Sequence, residues 1–271
     1  MIASRRYTDL YEWGRWTMPV SLAAEIQHQL LPGSFTCEAG QLTLAAWQEP
    51  TSQVGGDTFD FALDAHVLHL SITDAMGHGV NAALLATLLV GALRKSRRHG
   101  DDPGEQARLA NQALVDHNGD EQFVTGQLVR ADLYRGTAAI VNAGHPRPWR
   151  VRAGDVEQID LRADPAFGMM AASRYRVQRV YLEPGDRLIL LTDGMLERNA
   201  AQLDLRKALA RAADAHPREV VHQLAEAVLD ATGGNLRDDA TVMCIDWYGA
   251  ETASRHSAAG ANQAPASSAT T

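Results

Sequence analysis

The chain has 271 residues, of which 45% are hydrophobic and 21% charged, and its formal net charge is −8. That size and apolar fraction suit one folded domain around a packed core, and the acidity argues against a nucleic-acid partner, which calls for a basic field toward phosphates. The longest apolar run, residues 82–93, is too short to cross a bilayer. The N-terminus has no secretory h-region, and the two cysteines, Cys37 and Cys244, are too few for a disulfide framework or a Cys-based zinc site, so a cytoplasmic protein without a membrane partner is expected.

In chain order, residues 1–20 mix Tyr7, Tyr11, Trp13 and Trp16 with charges and carry no readable role. Ser21 then offers an N-cap, and Leu22, Ile26 and Leu30 recur at four-residue spacing until Pro32-Gly33 stops the helix. This amphipathic helix needs a partner surface, the body of the protein or a second copy. The hydrophobic period then drops to two, predicting strands over 41–48, 57–63 and 66–74, followed by helices over 82–94 and 105–116. Strands resume at 122–130, 133–142, 148–153, 156–161, 175–182 and 187–192, a second helical pair spans 201–213 and 218–231, and 240–247 is a closing strand. Runs of strands broken by helix pairs, without strict βαβ alternation, indicate an α+β layered fold of mainly antiparallel sheets. Three parts are expected: residues 1–33 as an N-terminal segment with its helix, 34–248 as the folded domain, and 249–271 as a disordered Ala/Ser/Thr-rich tail.

Four aspartates stand at strand ends: Asp57 in Val54-Gly-Gly-Asp57, Asp74 in Ile72-Thr-Asp74, Asp193 in Leu191-Thr-Asp-Gly194, and Asp238 in Arg237-Asp-Asp-Ala-Thr241. If Asp64-Ala65 forms a two-residue turn, Leu63 pairs with His66, Phe61 with Leu68, Phe59 with Leu70 and Asp57 with Ile72. Asp57 and Asp74 then share one face and one open end as diagonal neighbours, about 7–8 Å apart at the backbone. Ile189 and Leu191 share parity with Asp193, and Ala240, Val242 and Cys244 with Asp238, so all four carboxylates are expected to end an inward-facing apolar row. One strand-end aspartate usually starts a turn or caps a helix. Four in matching register point instead to a bound cation, and an oxygen-only set without Cys or paired His favours Mg²⁺ or Mn²⁺. His66 and His69, three apart on a strand, face opposite sides and do not share a metal.

These pieces resemble the PP2C-like, metal-dependent Ser/Thr phosphatases, specifically their bacterial sporulation and stress-response branch. In order they are Ile26-Gln-His-Gln-Leu-Leu-Pro32, Val54-Gly-Gly-Asp57 with Asp60-Phe61, Asp74-Ala-Met-Gly-His-Gly79, Asn142-Ala-Gly-His-Pro146, Pro184-Gly-Asp-Arg-Leu188 running into Thr192-Asp-Gly194, and Asp238-Asp-Ala-Thr241. The resemblance spans residues 24–247 and implies an αββα sandwich, a central antiparallel β-sandwich flanked by helix pairs.

It also implies that Asp57 bridges two divalent cations, Mn²⁺ or Mg²⁺, with Asp74 and the Ala75 carbonyl on one side and Asp193 and Asp238 on the other. Asp239 falls on a flanking polar position. A metal-bound water would hydrolyse a phosphoserine or phosphothreonine ester, with no protein nucleophile. By the same resemblance the substrate is a phosphorylated anti-sigma-factor antagonist; the unpartnered apolar stripe of the N-terminal helix leads to the expectation that control acts through it, by homodimerisation or by docking of a regulator.

The chain departs from the family at Thr58, where an aromatic is more usual. His78 lies four residues beyond Asp74, so it is either a proton donor or a residue that positions the backbone between two glycines. Asn142 and His145 either hold a tight turn, the favoured reading, or contact substrate. A catalytically silent phosphoprotein-binding module of the same fold is the competing reading.

Overall fold

A computed structural model describes residues 31–51, 54–118, 122–196, 204–234 and 236–250. The expected helix from Ser21 and nearly all of the expected tail lie outside the described residues. The chain runs β1 (Thr36–Ala39), β2 (Leu42–Glu49), β3 (Thr58–Asp64), β4 (Val67–Ala75), α1 (Val80–His99), α2 (Pro103–Asn118), β5 (Val124–Asp132), β6 (Thr137–Ala143), β7 (Trp149–Arg152) and β8 (Asp155–Gln158). Then follow β9 (Gln178–Tyr181), β10 (Arg187–Leu191), a 3-10 turn (Asp193–Leu196), α3 (Leu205–Arg211), α4 (Pro217–Thr232) and β11 (Ala240–Trp247). β1, a short partner hairpinned onto β2 through Ala39↔Leu42, was not signalled by the two-residue period.

The strands form two antiparallel sheets, ordered β1-β2-β11-β10-β7-β8 and β3-β4-β5-β6-β9. Leu42, Leu44, Met243, Ile245, Leu188 and Leu190 of the first meet Phe59, Leu70, Ile72, Val129 and Ile140 of the second in a central core. On the outer face of the second sheet, Leu85 and Leu89 of α1 and Leu114 of α2 pack on Ala75, Val124, Leu128 and Val141. On the outer face of the first, Leu205 and Leu209 of α3 and Val220, Leu224 and Val228 of α4 cover Ile189, Leu191, Val242 and Cys244. The expected αββα sandwich is therefore the fold observed.

Two expectations of register are corrected. The β3–β4 hairpin turns at Ala65-His66, so Leu63 faces Leu68, Phe61 faces Leu70, Phe59 faces Ile72 and Thr58 faces Thr73. Large apolar residues then meet across all three core pairs, whereas the expected register spent Leu63 on His66. A two-residue slip leaves every side chain on its face. It does move Asp57: one step beyond Thr58↔Thr73 sets it opposite Asp74, where the expected register paired it with Ile72 and left Asp74 diagonal to it.

The second correction concerns β10 and β11. Ile189, Leu191, Ala240, Val242 and Cys244 belong to the helix-side core, and the even residues of β10 with the odd residues of β11 face the other sheet. Alternation does not reveal this, because both faces of this sheet are buried and both rows are apolar. Asp193 and Asp238 therefore reach the site because the strands end there, not because they continue an inter-sheet row.

Candidate metal centre

At one end of the sandwich the inter-sheet core gives way to a polar layer. Asp57, 1% exposed, places its Oδ2 between the sheets, where it accepts hydrogen bonds from Thr192 Oγ1 at 2.8 Å and Thr241 Oγ1 at 2.6 Å. Both threonines lie on the inward rows of their strands, following Leu190 and preceding Met243. The main chain at Asp57 is held as well, since Gln48 Nε2 donates to its carbonyl at 2.7 Å. Thr241 N donates in turn to Thr192 Oγ1 at 2.9 Å, so the three side chains form one unit.

The loop before Asp57 is fastened by Asp239. Its carboxylate accepts from Thr51 N at 2.7 Å, Thr51 Oγ1 at 3.0 Å and Gly56 N. Gly55 permits this approach, because a Cβ there would meet Asp239 Oδ2 at 2.3 Å, and a Cβ on Gly56 would meet the Ala75 carbonyl oxygen at 2.6 Å. Asp239 thus acts as the clamp of the Asp57 loop, in line with its expected flanking place.

Asp74 ends the inward row of β4 and pairs across strands with Thr125. Burial first, and then the charges of Asp193, Asp238 and Asp239, push its pKa up to about 7. Asp57 is raised well above the usual carboxylate range by burial and by Asp74, with Asp239 adding to this and the Thr241 and Thr192 hydrogen bonds opposing it. Asp193 opens the 3-10 turn exposed and Asp238 is half-buried. The carboxylates therefore feel one another. Among the described residues no three His, Cys, Asp or Glu side chains are already drawn into a group able to hold a metal ion. The donor chemistry fits a hard divalent cation: carboxylate oxygens alone, on Asp57 at the buried base and on Asp74, Asp193 and Asp238 nearer solvent.

His78 is exposed in the segment between β4 and α1, and Ala75, whose carbonyl is the expected ligand, is buried. Asn142 and His145 are buried beside the same polar layer and lock each other: His145 N donates to Asn142 Oδ1 at 2.8 Å and Asn142 Nδ2 donates to the His145 carbonyl at 3.0 Å. His145 Nδ1 also lies 2.9 Å from Thr125 Oγ1, next to Asp74. This geometry supports the turn-holding reading of both residues. The residues that sequence reasoning passed over are Thr192 and Thr241. The available signal was their parity with Leu190 and Met243, hidden because the neighbouring row is equally apolar.

Burial holds the His145 imidazole down to about 3, with the Leu191 backbone opposing slightly. Its folded pKa is depressed relative to the ordinary value near 6.5, so the unfolded chain binds the extra proton below that pH. Stability contributed by the neutral ring is present above about pH 6.5 and falls by roughly 1.4 kcal/mol per pH unit toward pH 3. His145→Gln is expected to flatten that part of the acid limb in a Tm-against-pH series. An unchanged limb would show that His145 is not held neutral by the fold.

No helix among the described residues is long and apolar enough to cross a membrane. Two antiparallel sheets between helix pairs, with a carboxylate floor at one end, define the PP2C class of phosphatase domain. The chain belongs to the Stage II sporulation protein E (SpoIIE) family, whose model matches residues 64–248. It is 23% identical to phosphoserine phosphatase RsbU of Bacillus subtilis over 232 residues, covering 83% of this chain and 69% of that protein. With phosphoserine phosphatase RsbP of the same organism it shares 25% identity over 218 residues, 78% of this chain and 52% of that one. In structure it resembles the SiaA-PP2C domain of Pseudomonas aeruginosa, with a TM-score of 0.71 and 22% identity over 90% of this chain and 98% of that one.

Proposed function

We propose that the protein is a metal-dependent serine/threonine protein phosphatase acting on a phosphoprotein of a sigma-factor regulatory pathway. The observation that carries this is that burial and neighbouring carboxylates raise the pKa values of Asp57 and Asp74 at one end of the sandwich, in a chain of the SpoIIE family. In this reading Asp57, Asp74, the Ala75 carbonyl, Asp193 and Asp238 hold two divalent ions, Mn²⁺ or Mg²⁺. Bound ions supply Lewis acidity and acidify a water, so that the phosphate ester is hydrolysed without a protein nucleophile. The chain's own residues orient the donors: Thr192 and Thr241 fix the rotamer of Asp57, Asp239 fixes its loop, and the Gly56–Ala75 contact sets the spacing of the two strand ends. His78 is the candidate proton donor. Asn142 and His145 support the floor from beneath rather than contacting substrate.

An anti-sigma-factor antagonist phosphorylated on serine is the proposed substrate, suggested by the relatives named above. Phosphate release from such an antagonist is expected to require Mn²⁺ or Mg²⁺ and to stop on chelation. Activity that survives complete chelation would refute the metal reading. Metal-dependent activity confined to generic phosphopeptides would refute the substrate. A silent phosphoprotein-binding module is favoured only by the carboxylates not yet lying in one metal-holding group; binding of the phosphorylated antagonist without turnover at any metal concentration would establish it. The N-terminal helix is proposed as the control element through homodimerisation or regulator docking. Removing residues 1–32 is expected to alter oligomeric state or regulation, and a shortened chain unchanged in both would sink that idea.

A further inference from the structure

The polar layer has a second half, on the sheet that faces Thr192 and Thr241. Thr125 and Gln127 precede Val129 and Ala131 on the inward row of β5, and they pair across strands with Asp74 and Ile72. Both side chains find their partners in the turn after β6. Gln127 Nε2 donates to the Pro146 carbonyl at 2.6 Å, and Thr125 Oγ1 lies 2.9 Å from His145 Nδ1. Gly144 makes that turn with a left-handed φ of 69° and bridges to Gly126, between the two polar residues of β5.

Closing the turn does not require the imidazole. Asn142 does it through its two bonds to the His145 main chain. A buried hydrogen-bonded pair can be exchanged for apolar groups of the same shape at little cost, so the stability of the turn does not explain a His145–Thr125 pair either. The ring is buried and neutral, so one nitrogen carries a hydrogen and the other a lone pair. Nδ1 has the Thr125 hydroxyl, which can donate to it. Nε2 is buried and makes no hydrogen bond among the described residues, and the Leu191 backbone is the group that favours the protonated ring. A carbonyl oxygen acts in that direction on an N–H, which places the hydrogen on Nε2, toward Leu191. Leu191 ends β10, one residue before Thr192 and two before Asp193.

We propose that His145 is a positioning residue of the metal centre: its ring accepts the Thr125 hydroxyl on Nδ1, turns Nε2–H toward the end of β10, and so sets the Asp74 strand against Asp193. The ring touches no reacting atom and acts through its two neighbours. On one side Thr125 stands directly across the strand pair from Asp74. On the other, Leu191 leads into Thr192, which holds Asp57, and into the turn that carries Asp193. The imidazole is therefore a strut between the two sheets, parallel to the link that Asp57 makes with Thr192 and Thr241. This role rests on the proposed metal-holding function of the carboxylates.

The test joins a spectroscopic and a binding readout on the full chain. Long-range proton–nitrogen correlation spectra, with His145 identified by the signals lost in His145→Gln, are expected to show a protonated Nε2 and a bare Nδ1. Thr125→Val keeps the size of the side chain and removes its hydroxyl. It should abolish that signature and weaken calorimetric Mn²⁺ binding about tenfold, the usual cost of losing a hydrogen bond behind a metal ligand. Thr125→Ser should restore both. Packing alone would be served by Val better than by Ser, so this order separates positioning from a structural role. A hydrogen on Nδ1 in the parent, or Thr125→Val binding Mn²⁺ as tightly as the parent, overturns the role of His145. A parent that binds Mn²⁺ with these dependences but releases no phosphate would refute the phosphatase reading and leave the role standing. A parent that binds no Mn²⁺ overturns the metal centre and this role together.

Discussion

Asp57→Asn is expected to lower kcat/KM for a phosphoserine substrate at saturating Mn²⁺ by at least about a thousandfold, because metal-borne charge stabilisation is worth several kcal/mol and each 1.36 kcal/mol is tenfold. The fold should survive. Asn keeps an oxygen that can accept from Thr192 and Thr241, so the link between the sheets persists. It also removes a buried negative charge that repels Asp74 and Asp239. The metal-free variant should therefore melt no lower than the metal-free parent, and should lose the rise in Tm that divalent ions give the parent. That opposition between activity and apo stability separates a metal-centre carboxylate from a structural one. A variant with a sharply lowered apo Tm would mark Asp57 as structural, and one with retained activity would remove it from the centre.

Gly194→Ala is expected to cost stability and activity together. A Cβ at this position would stand 2.0 Å from the Asp239 carbonyl oxygen, 2.8 Å from its carbonyl carbon and 3.2 Å from the Asp238 carbonyl oxygen. These are backbone atoms, so no rotamer change relieves the clash. The 3-10 turn must withdraw from the start of β11, which shifts Asp193 relative to Asp238. Overpacking of this kind costs about 3 kcal/mol, a fall in Tm of roughly 6–12 °C for a chain of this size. Metal affinity should weaken at least tenfold. Gly91→Ala is the matched control: it sits in α1 with nothing within 4 Å of the added Cβ. There the change should raise stability by about 0.5–1 kcal/mol through helix propensity. Equal effects of the two substitutions would mean that the Gly194 contact is not what limits the site.

The hairpin shows how far local pattern carries. Alternation along β3 and β4 put Phe59, Phe61, Leu70 and Ile72 on the core face and Asp57 with Asp74 at its open end, and the observed turn, though slipped by two residues, leaves those faces intact. In β10 and β11 the same reasoning chose the wrong row, since Leu188 and Leu190 are as apolar as Ile189 and Leu191. Helix ends were less legible. α1 runs to His99 rather than stopping at Arg94, because Arg94 and Arg97 are held by Asp60 and Ser96 by Asp101, partners that periodicity does not see.

The sequence by itself determined the order of elements, the antiparallel layering and the four strand-end aspartates, because periodicity, turn residues and ordered motifs are properties of neighbours along the chain. Only the tertiary structure decided that Asp57 faces Asp74 and rests on Thr192 and Thr241, 135 and 184 residues away. It likewise decided that Asp239 clamps the Gly55-Gly56 turn and that Arg94, Arg97 and Arg130 gather over His69. The physical reason is that a sheet buried on both faces erases the polar alternation that would mark its sides. Which hydroxyl or guanidinium meets which carboxylate is then set by the packing of layers whose residues lie far apart in the chain.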